Sequence, residues 1–238
     1  MFFFYVRQGD PIYHPDSLTP LGQEQAKALA KRFVTYGLDR IYASDSIRAM
    51  MTAQPTADLL KKEIIPCPWA HETLAGKDFF FNRQTPKAGW AFEIQDYVEK
   101  FNSPEVCALG KEWYKHPDFA GLTFESGVKR VDEGVDELFL ELGFSHDREN
   151  NCFVKVKEAP ERVALFAHQG FGMLFMSSVL DIPYPMYCTH FDISHTGMTV
   201  IHFDERHDRI YPRVLQVSND AHLYREGIMA GYQNRYRF

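Results

Sequence analysis

The chain has 238 residues, 45% of them hydrophobic and 24% charged, and its 26 Lys and Arg against 32 Asp and Glu give a formal net charge of −6. These proportions belong to a folded globular protein and exclude a disordered chain, and the length suits one domain with elaborations. The acidic balance, with no long Lys/Arg run, excludes a broad nucleic-acid-binding face, and no window supplies the roughly 20 apolar residues of a membrane helix.

Cys67, Cys107, Cys152 and Cys188 are widely spaced, with no Cys-x-x-Cys pair, and the ten histidines show no metal-ligand spacing. Neither a disulfide framework nor a metal centre is expected. The apolar start MFFFYV ends in charge at Arg7, too soon for a secretory leader. The expectation is a cytoplasmic protein without metal or cofactor.

In chain order, the short apolar run Phe2 to Arg7 predicts a strand buried on both faces. Thr19-Pro20 predicts a helix start, with Thr as N-cap and Pro at the first helical position, and Gly37 predicts its end. Asp39 to Ser44 predicts a second strand. A helix over Ser46 to Lys61 follows, with a kink expected at Pro55, then a third strand over Ile64 to Trp69. Alternation of strands and helices predicts parallel crossovers.

From about residue 72 to 157 that alternation is lost, and the stretch predicts a mostly helical cap insertion, clearest at Val128 to Phe144. The α/β pattern returns with a strand at Arg162 to Ala167, a helix at Gln169 to Leu180, and strands at Thr199 to Phe203 and Tyr211 to Val217. The fold class is therefore α/β: a mostly parallel sheet in three layers, helices on both faces, and a helical cap. One domain spans 1–238, its core in about 1–70 and 160–220. The tail YREGIMAGYQNRYRF stays unassigned.

Four groups stand at predicted strand ends, where open α/β sheets bind ligands. Arg7 follows the first strand and offers a planar fork for phosphate or carboxylate. Arg48 sits on the first turn of a helix, where the dipole disfavours a cation unless both share an anion; its plainer reading is a solvated partner of Asp45. His168 follows VALFA, and Glu72 follows the third strand. Singly, each can be an ordinary surface or core residue. Together they equip a cleft for a phosphoryl group, with cations for its oxygens and an acid for the leaving oxygen.

At this point the segments VRQGD, LTPLGQEQAKAL, YASDSIRAMMTA and ALFAHQGF, with weaker echoes in HETLAG, TFESGVKRV and NDAHL, resemble the histidine phosphatase superfamily, the phosphoglycerate-mutase-like fold. The resemblance implies metal-independent covalent catalysis through a phosphohistidine. Carried over by position, Arg7, Arg48 and His168 would bind the phosphoryl oxygens and Glu72 would act as general acid, then base. His222, in NDAHL, would lie close to the substrate pocket.

The departure is at position 8. The family's Arg-His-Gly is Arg7-Gln8-Gly9 here, and a carboxamide nitrogen, its lone pair delocalised, cannot attack phosphorus. Glutamine can still hydrogen-bond a phosphate. An engineered His→Gln change and a natural non-catalytic relative are both open; retention of Arg48, His168 and Glu72 favours the first. The expected function is phosphomonoester hydrolysis on a small phosphorylated metabolite, silenced by Gln8. The alternatives are a phosphoglycerate-type mutase, for which Lys77 and Arg83 could hold a second anionic group, and a phosphoester-binding module. The ligand is a phosphorylated small molecule or inorganic phosphate, with neither nucleic acid nor membrane as partner.

Overall fold

The computed structural model describes residues 1–81, 88–232 and the backbone of 236–237. Its centre is a six-stranded sheet of β1 (Phe2–Arg7), β2 (Arg40–Ala43), β3 (Ile64–Pro66), β4 (Arg162–Ala167), β5 (Met198–His202) and β6 (Arg213–Asn219), in the spatial order β6-β5-β1-β4-β2-β3. From β1 to β3 the pairings are parallel. β5 runs antiparallel to both β1 and β6, so the sheet is mostly parallel, as expected.

Strand β1 shows why the fold has three layers. Its residues alternate faces, and both faces are apolar. Phe3 and Tyr5 enter one core with Phe139 and Phe175. Phe4 and Val6 enter another with Leu29, Phe33, Ala53 and Ala57. The second core is covered by α1 (Pro20–Tyr36) and α2 (Ile47–Leu60). The Thr19 hydroxyl accepts from the Gly22 N–H and Gly37 closes α1 with φ of 73°, the predicted caps. α2 begins at the Ser46 N-cap and stays helical through Pro55, so the expected kink does not interrupt the element.

Three expectations are corrected. The third strand stops at Pro66, and a 3-10 turn over Pro68–Ala70 carries the chain to α3 (Glu72–Phe79). The last strand is displaced to Arg213–Asn219. The insertion is not simply a cap. Its longest helix, α4 (Phe124–Leu142), buries Val135 and Phe139 against the sheet beside α5 (Gln169–Leu180). The insertion then ends in a hairpin of Phe144–Asp147 and Cys152–Lys155, whose second strand pairs with Arg209–Ile210. After the last strand, α6 (Ala221–Arg225) leads into the unassigned tail, where Gly231–Tyr232 pairs with Tyr236–Arg237.

Among the described residues, no helix is long and apolar enough to cross a membrane, and no cluster of His, Cys, Asp or Glu could hold a metal ion.

Candidate active site

Parallel register aligns the carboxyl ends of the central strands. Arg7 pairs with Ala167, and Phe166 with Ala43, so the residues that follow, Gln8, His168 and Ser44, meet at one sheet edge. All three are essentially buried. The Gln8 N–H donates to the Ala167 carbonyl at 2.8 Å, and its Oε1 lies 3.0 Å from His168 Nδ1. An amide oxygen only accepts, so His168 Nδ1 carries the hydrogen. Its Nε2 is then the acceptor for Ser44 Oγ at 2.8 Å and Ser46 Oγ at 3.2 Å. Burial holds the His168 pKa well below the ordinary histidine value, and Arg48, His71 and Arg7 push it the same way. The ring is neutral with both nitrogens engaged.

Arg7 is 2% exposed. Its Nη1 donates to the Ile193 carbonyl at 2.6 Å, and its Nη2 lies 2.9 Å from His195 Nε2. A guanidinium only donates, so His195 Nε2 accepts and its Nδ1–H turns to Asp10 Oδ1, 3.4 Å away. Arg48 Nη1 donates to Asp16 Oδ1 at 2.7 Å, and its guanidinium carbon is 5.6 Å from the centre of the Tyr13 ring. Asp16, not the exposed Asp45, is therefore its partner; the other Asp16 oxygen accepts from the Ile47 N–H at the start of α2. Both arginines keep a buried Nε–H with no partner among the described residues.

Glu72 opens α3 and spans to the start of α5. Its two oxygens accept from the Gly170 and Phe171 N–H groups, each at 2.9 Å, where a helix N-terminus favours an anion. Burial nevertheless raises the Glu72 pKa, outweighing those two amides and the charges of Arg48 and Arg7. A carboxyl that retains its proton more readily than usual, beside two arginines and a neutral histidine, suits an acid for a leaving oxygen. His71, the N-cap of α3, lies 6.1 Å from His168 between ring centres. Its Nδ1 accepts from the Thr73 N–H at 3.2 Å, which leaves the hydrogen on Nε2.

The loop that carries Gln8 is held on both sides. Thr52 Oγ1 accepts from the Gly9 N–H, and Gln25 Oε1 from the Asp10 N–H. A Cβ on Gly22 would stand 2.3 Å from the Asp10 carbonyl oxygen, so only glycine lets α1 approach this closely. Behind the loop, Thr196 adopts φ of 56°, a strained conformation for a β-branched residue. Its N–H lies 3.2 Å from the Arg7 carbonyl and 3.3 Å from that of Gln8.

Arg7, Gln8, Arg48, Glu72 and His168 thus come together, while His222 does not. Its Nε2 meets Thr196 Oγ1 at 3.0 Å, and Thr196 in turn bonds the Arg7 and Gln8 carbonyls through its N–H. Sequence reasoning did not foresee the supporting contacts of His195, Asp16, Ser44 and Ser46. Each is fixed by a long-range contact that leaves no local pattern. Lys77 lies exposed on the last turn of α3, and Arg83 lies outside the described residues.

Residues 8–88 match the family model described as histidine phosphatase superfamily (branch 1). No curated protein matches the chain. A phosphoserine phosphatase mutant from Entamoeba histolytica, solved with phosphoserine, is similar at 20% identity and TM-score 0.59, covering 93% of this chain and 98% of that one. The fold is that of the histidine phosphatases. An alpha-ribazole phosphatase from Shigella flexneri matches at 16% identity and TM-score 0.58, over 92% of this chain and 97% of that one. A mycobacterial glucosyl-3-phosphoglycerate phosphatase matches at 17% identity and TM-score 0.56, over 92% and 98%. Gln8 is the first residue of the span that the family model matches.

Proposed function

We propose that the site is a phosphomonoester site of the histidine phosphatase type, whose hydrolytic step is absent in this chain because position 8 holds glutamine. The observation that carries the reading is the buried Gln8–His168 pair, on which the charges of Arg48 and Arg7 both act. Each arginine has a buried Nε–H unpartnered among the described residues, a donor that costs about 1–3 kcal/mol to leave unmade and that suits an anion's oxygens. Glu72 is the acid for the leaving oxygen. The bound molecule is a small phosphorylated metabolite or inorganic phosphate.

The three histidines beside the site do not replace the missing nucleophile. Attack on phosphorus needs an imidazole lone pair aimed at it. The lone pair of His168 faces the Ser44 hydroxyl, that of His195 faces Arg7, and that of His71 faces the Thr73 N–H. Each ring is spent on holding the site.

The test is Gln8→His. A histidine here brings the imidazole lone pair that an amide lacks, provided that His168 Nδ1–H donates to the phosphoryl oxygens instead, and should form an acid-labile phosphohistidine and turn over phosphomonoesters without added metal. The unaltered chain should bind phosphate without releasing it from esters. If Gln8→His releases phosphate from no monoester in a broad metabolite screen, the chain is a phosphoester-binding module. Substantial turnover by the glutamine form would show that the nucleophile lies elsewhere. A mutase reading is separated by the product, a moved rather than a freed phosphate.

A further inference from the structure

The insertion brings one aromatic side chain to the acid of the site. After α3 the chain makes a short antiparallel pair, in which Phe80 lies opposite Trp90 and Phe81 opposite Gly89. The pairing carries Trp90 back against the helix the chain has just left. Its ring is gripped by two neighbours: Phe80 meets it edge-on at 5.7 Å between centres, and Phe92 stacks on it at 5.7 Å and 14°. Glu93 Oε2 accepts from the Trp90 N–H at 3.1 Å, which fixes the backbone under the ring and engages that carboxylate in the anchor.

Two glycines receive the ring. A Cβ on Gly170 would stand 2.4 Å from Trp90 Cη2 and 2.6 Å from Cζ2 and Cζ3, and one on Gly76 would stand 3.8 Å from Cη2. The six-membered ring of the indole therefore rests on the backbone of Gly170, close to Gly76, an approach that glycine at 170 permits. Both glycines lead to Glu72. Gly76 follows it by one helical turn on the same face of α3, and the Gly170 N–H is one of the two amides that hold its carboxyl. Trp90 thus covers the seam where α3 meets α5, beside the acid. Glu72 itself is half-buried, so the cover is one-sided and leaves the carboxyl within reach of a substrate.

The balance at Glu72 makes that cover count. Arg7, Arg48 and the Gly170 and Phe171 amides favour its anion, and burial outweighs them. The other groups around it are Tyr5 and Tyr184, both kept protonated by burial, and the rings of His71 and neutral His168. On α4, Arg130 is engaged by Asp78 and the Leu74 carbonyl. Water in place of the indole would solvate the carboxylate and tip this balance toward the anion.

We propose that Trp90 is a positioning residue for Glu72: its indole seals the α3–α5 seam, keeps water from the Glu72–Gly170 contact, and so holds the acid ready for a leaving group that needs a proton. This role depends on the acid reading of Glu72. The substrate it serves is an alkyl phosphomonoester, because a weakly basic phenolate departs without that proton.

The test follows Glu72 directly, by carbon NMR titration of the full chain labelled at the glutamate carboxyl carbons, with Glu72→Gln assigning the signal. Trp90→Phe keeps an aromatic ring in the strand pair but, being shorter, withdraws the outer ring from Gly170. Gly170→Ala keeps the amide and pushes the indole away. In each variant the Glu72 midpoint should fall by about half a pH unit or more. An unchanged midpoint in Trp90→Phe with its melting transition intact overturns the role; if that variant does not fold, Gly170→Ala decides in the same way. In a Gln8→His background, Trp90→Phe should move the falling alkaline limb of kcat/KM for glycerol 3-phosphate to lower pH by the same amount, and should change nitrophenyl phosphate turnover by less than about threefold. Equal slowing of both substrates with the limb in place is what a merely structural loss gives, and it overturns the catalytic part of the role. If Gln8→His releases phosphate from no ester, the phosphatase reading fails, while the midpoints still decide whether Trp90 controls Glu72.

Discussion

Replacing Glu72 with glutamine separates catalysis from stability, because on the proposed reading the carboxyl has opposite effects on the two. Glutamine keeps the shape and one carbonyl acceptor for the α5 amides now held at 2.9 Å, but it has no proton to give. In a Gln8→His background, general-acid loss should slow alkyl phosphates by about 10²–10⁴-fold, or about 3–5 kcal/mol of barrier at 1.36 kcal/mol per tenfold. Nitrophenyl phosphate, whose leaving group departs as the anion, should slow by less than about tenfold. Stability should move the other way. Burial raises the Glu72 pKa in the folded state, so the folded chain holds that proton more tightly than the unfolded chain. The contribution is full below the unfolded carboxyl value and is lost as pH rises through the folded one. Glu72→Gln removes this loss, so the variant should gain melting temperature relative to the parent between pH 4 and pH 8. Equal slowing of both substrates would refute the acid role, and a growing stability deficit with pH would refute the burial argument.

Three further outcomes follow from other contacts. Phosphate at about 100 times its dissociation constant should stabilise the chain by about 2.7 kcal/mol, or about 5–10 °C in melting temperature at this size; Arg48→Ala should remove most of that shift, and an undiminished shift would place phosphate elsewhere. Gly22→Ala puts a Cβ against the Asp10 backbone and should cost about 1–3 kcal/mol by overpacking with weaker phosphate binding, measured by denaturant unfolding and titration; a neutral result would mean the loop yields freely. Burial lowers the His146 pKa, but Asp136 and Asp181 more than reverse this and leave it raised. Its stabilisation is thus present below the unfolded histidine value and is lost as pH rises through the folded one, so the deficit of His146→Gln in urea midpoint should be larger at pH 6 than at pH 8.5.

Much of the fold was legible because its signals are local. The all-apolar β1, the Thr19-Pro20 start and the Gly37 stop each lie within a few residues of the feature they set. Parallel crossovers then place strand ends together, which is why Arg7, Gln8 and His168 could be named before their contacts were known. The partners of these groups were not legible. Asp45 is nearer to Arg48 in sequence, yet Asp16 reaches it, because Asp16 also caps α2. His195 and Arg7 meet from 188 residues apart, and no spacing rule connects them. NDAHL placed His222 near the pocket in sequence, but the ring turns to Thr196, which bonds the Arg7 and Gln8 carbonyls. The hairpin after α4 escaped notice because its two four-residue strands are completed by Arg209–Ile210, more than 50 residues on.

On the proposed reading, the contacts at position 8 account for a chain that loses this chemistry and keeps its fold. The position must supply a backbone N–H to the Ala167 carbonyl, fill buried space, and satisfy the neighbouring imidazole. Glutamine meets all three demands. Its carbonyl accepts the His168 proton, so no buried donor is orphaned by the missing ring, and a well-made hydrogen bond of this kind contributes about 0.5–1.5 kcal/mol. The one property it lacks, a basic lone pair, is required only by the reaction. The charged ligands are supported independently of position 8, Arg7 by Ile193 and His195, Arg48 by Asp16 and Tyr13. If that reading holds, affinity for a phosphoryl group and its turnover are separable by a single side chain, and Gln8→His should change phosphate affinity by less than about tenfold while changing the rate by orders of magnitude.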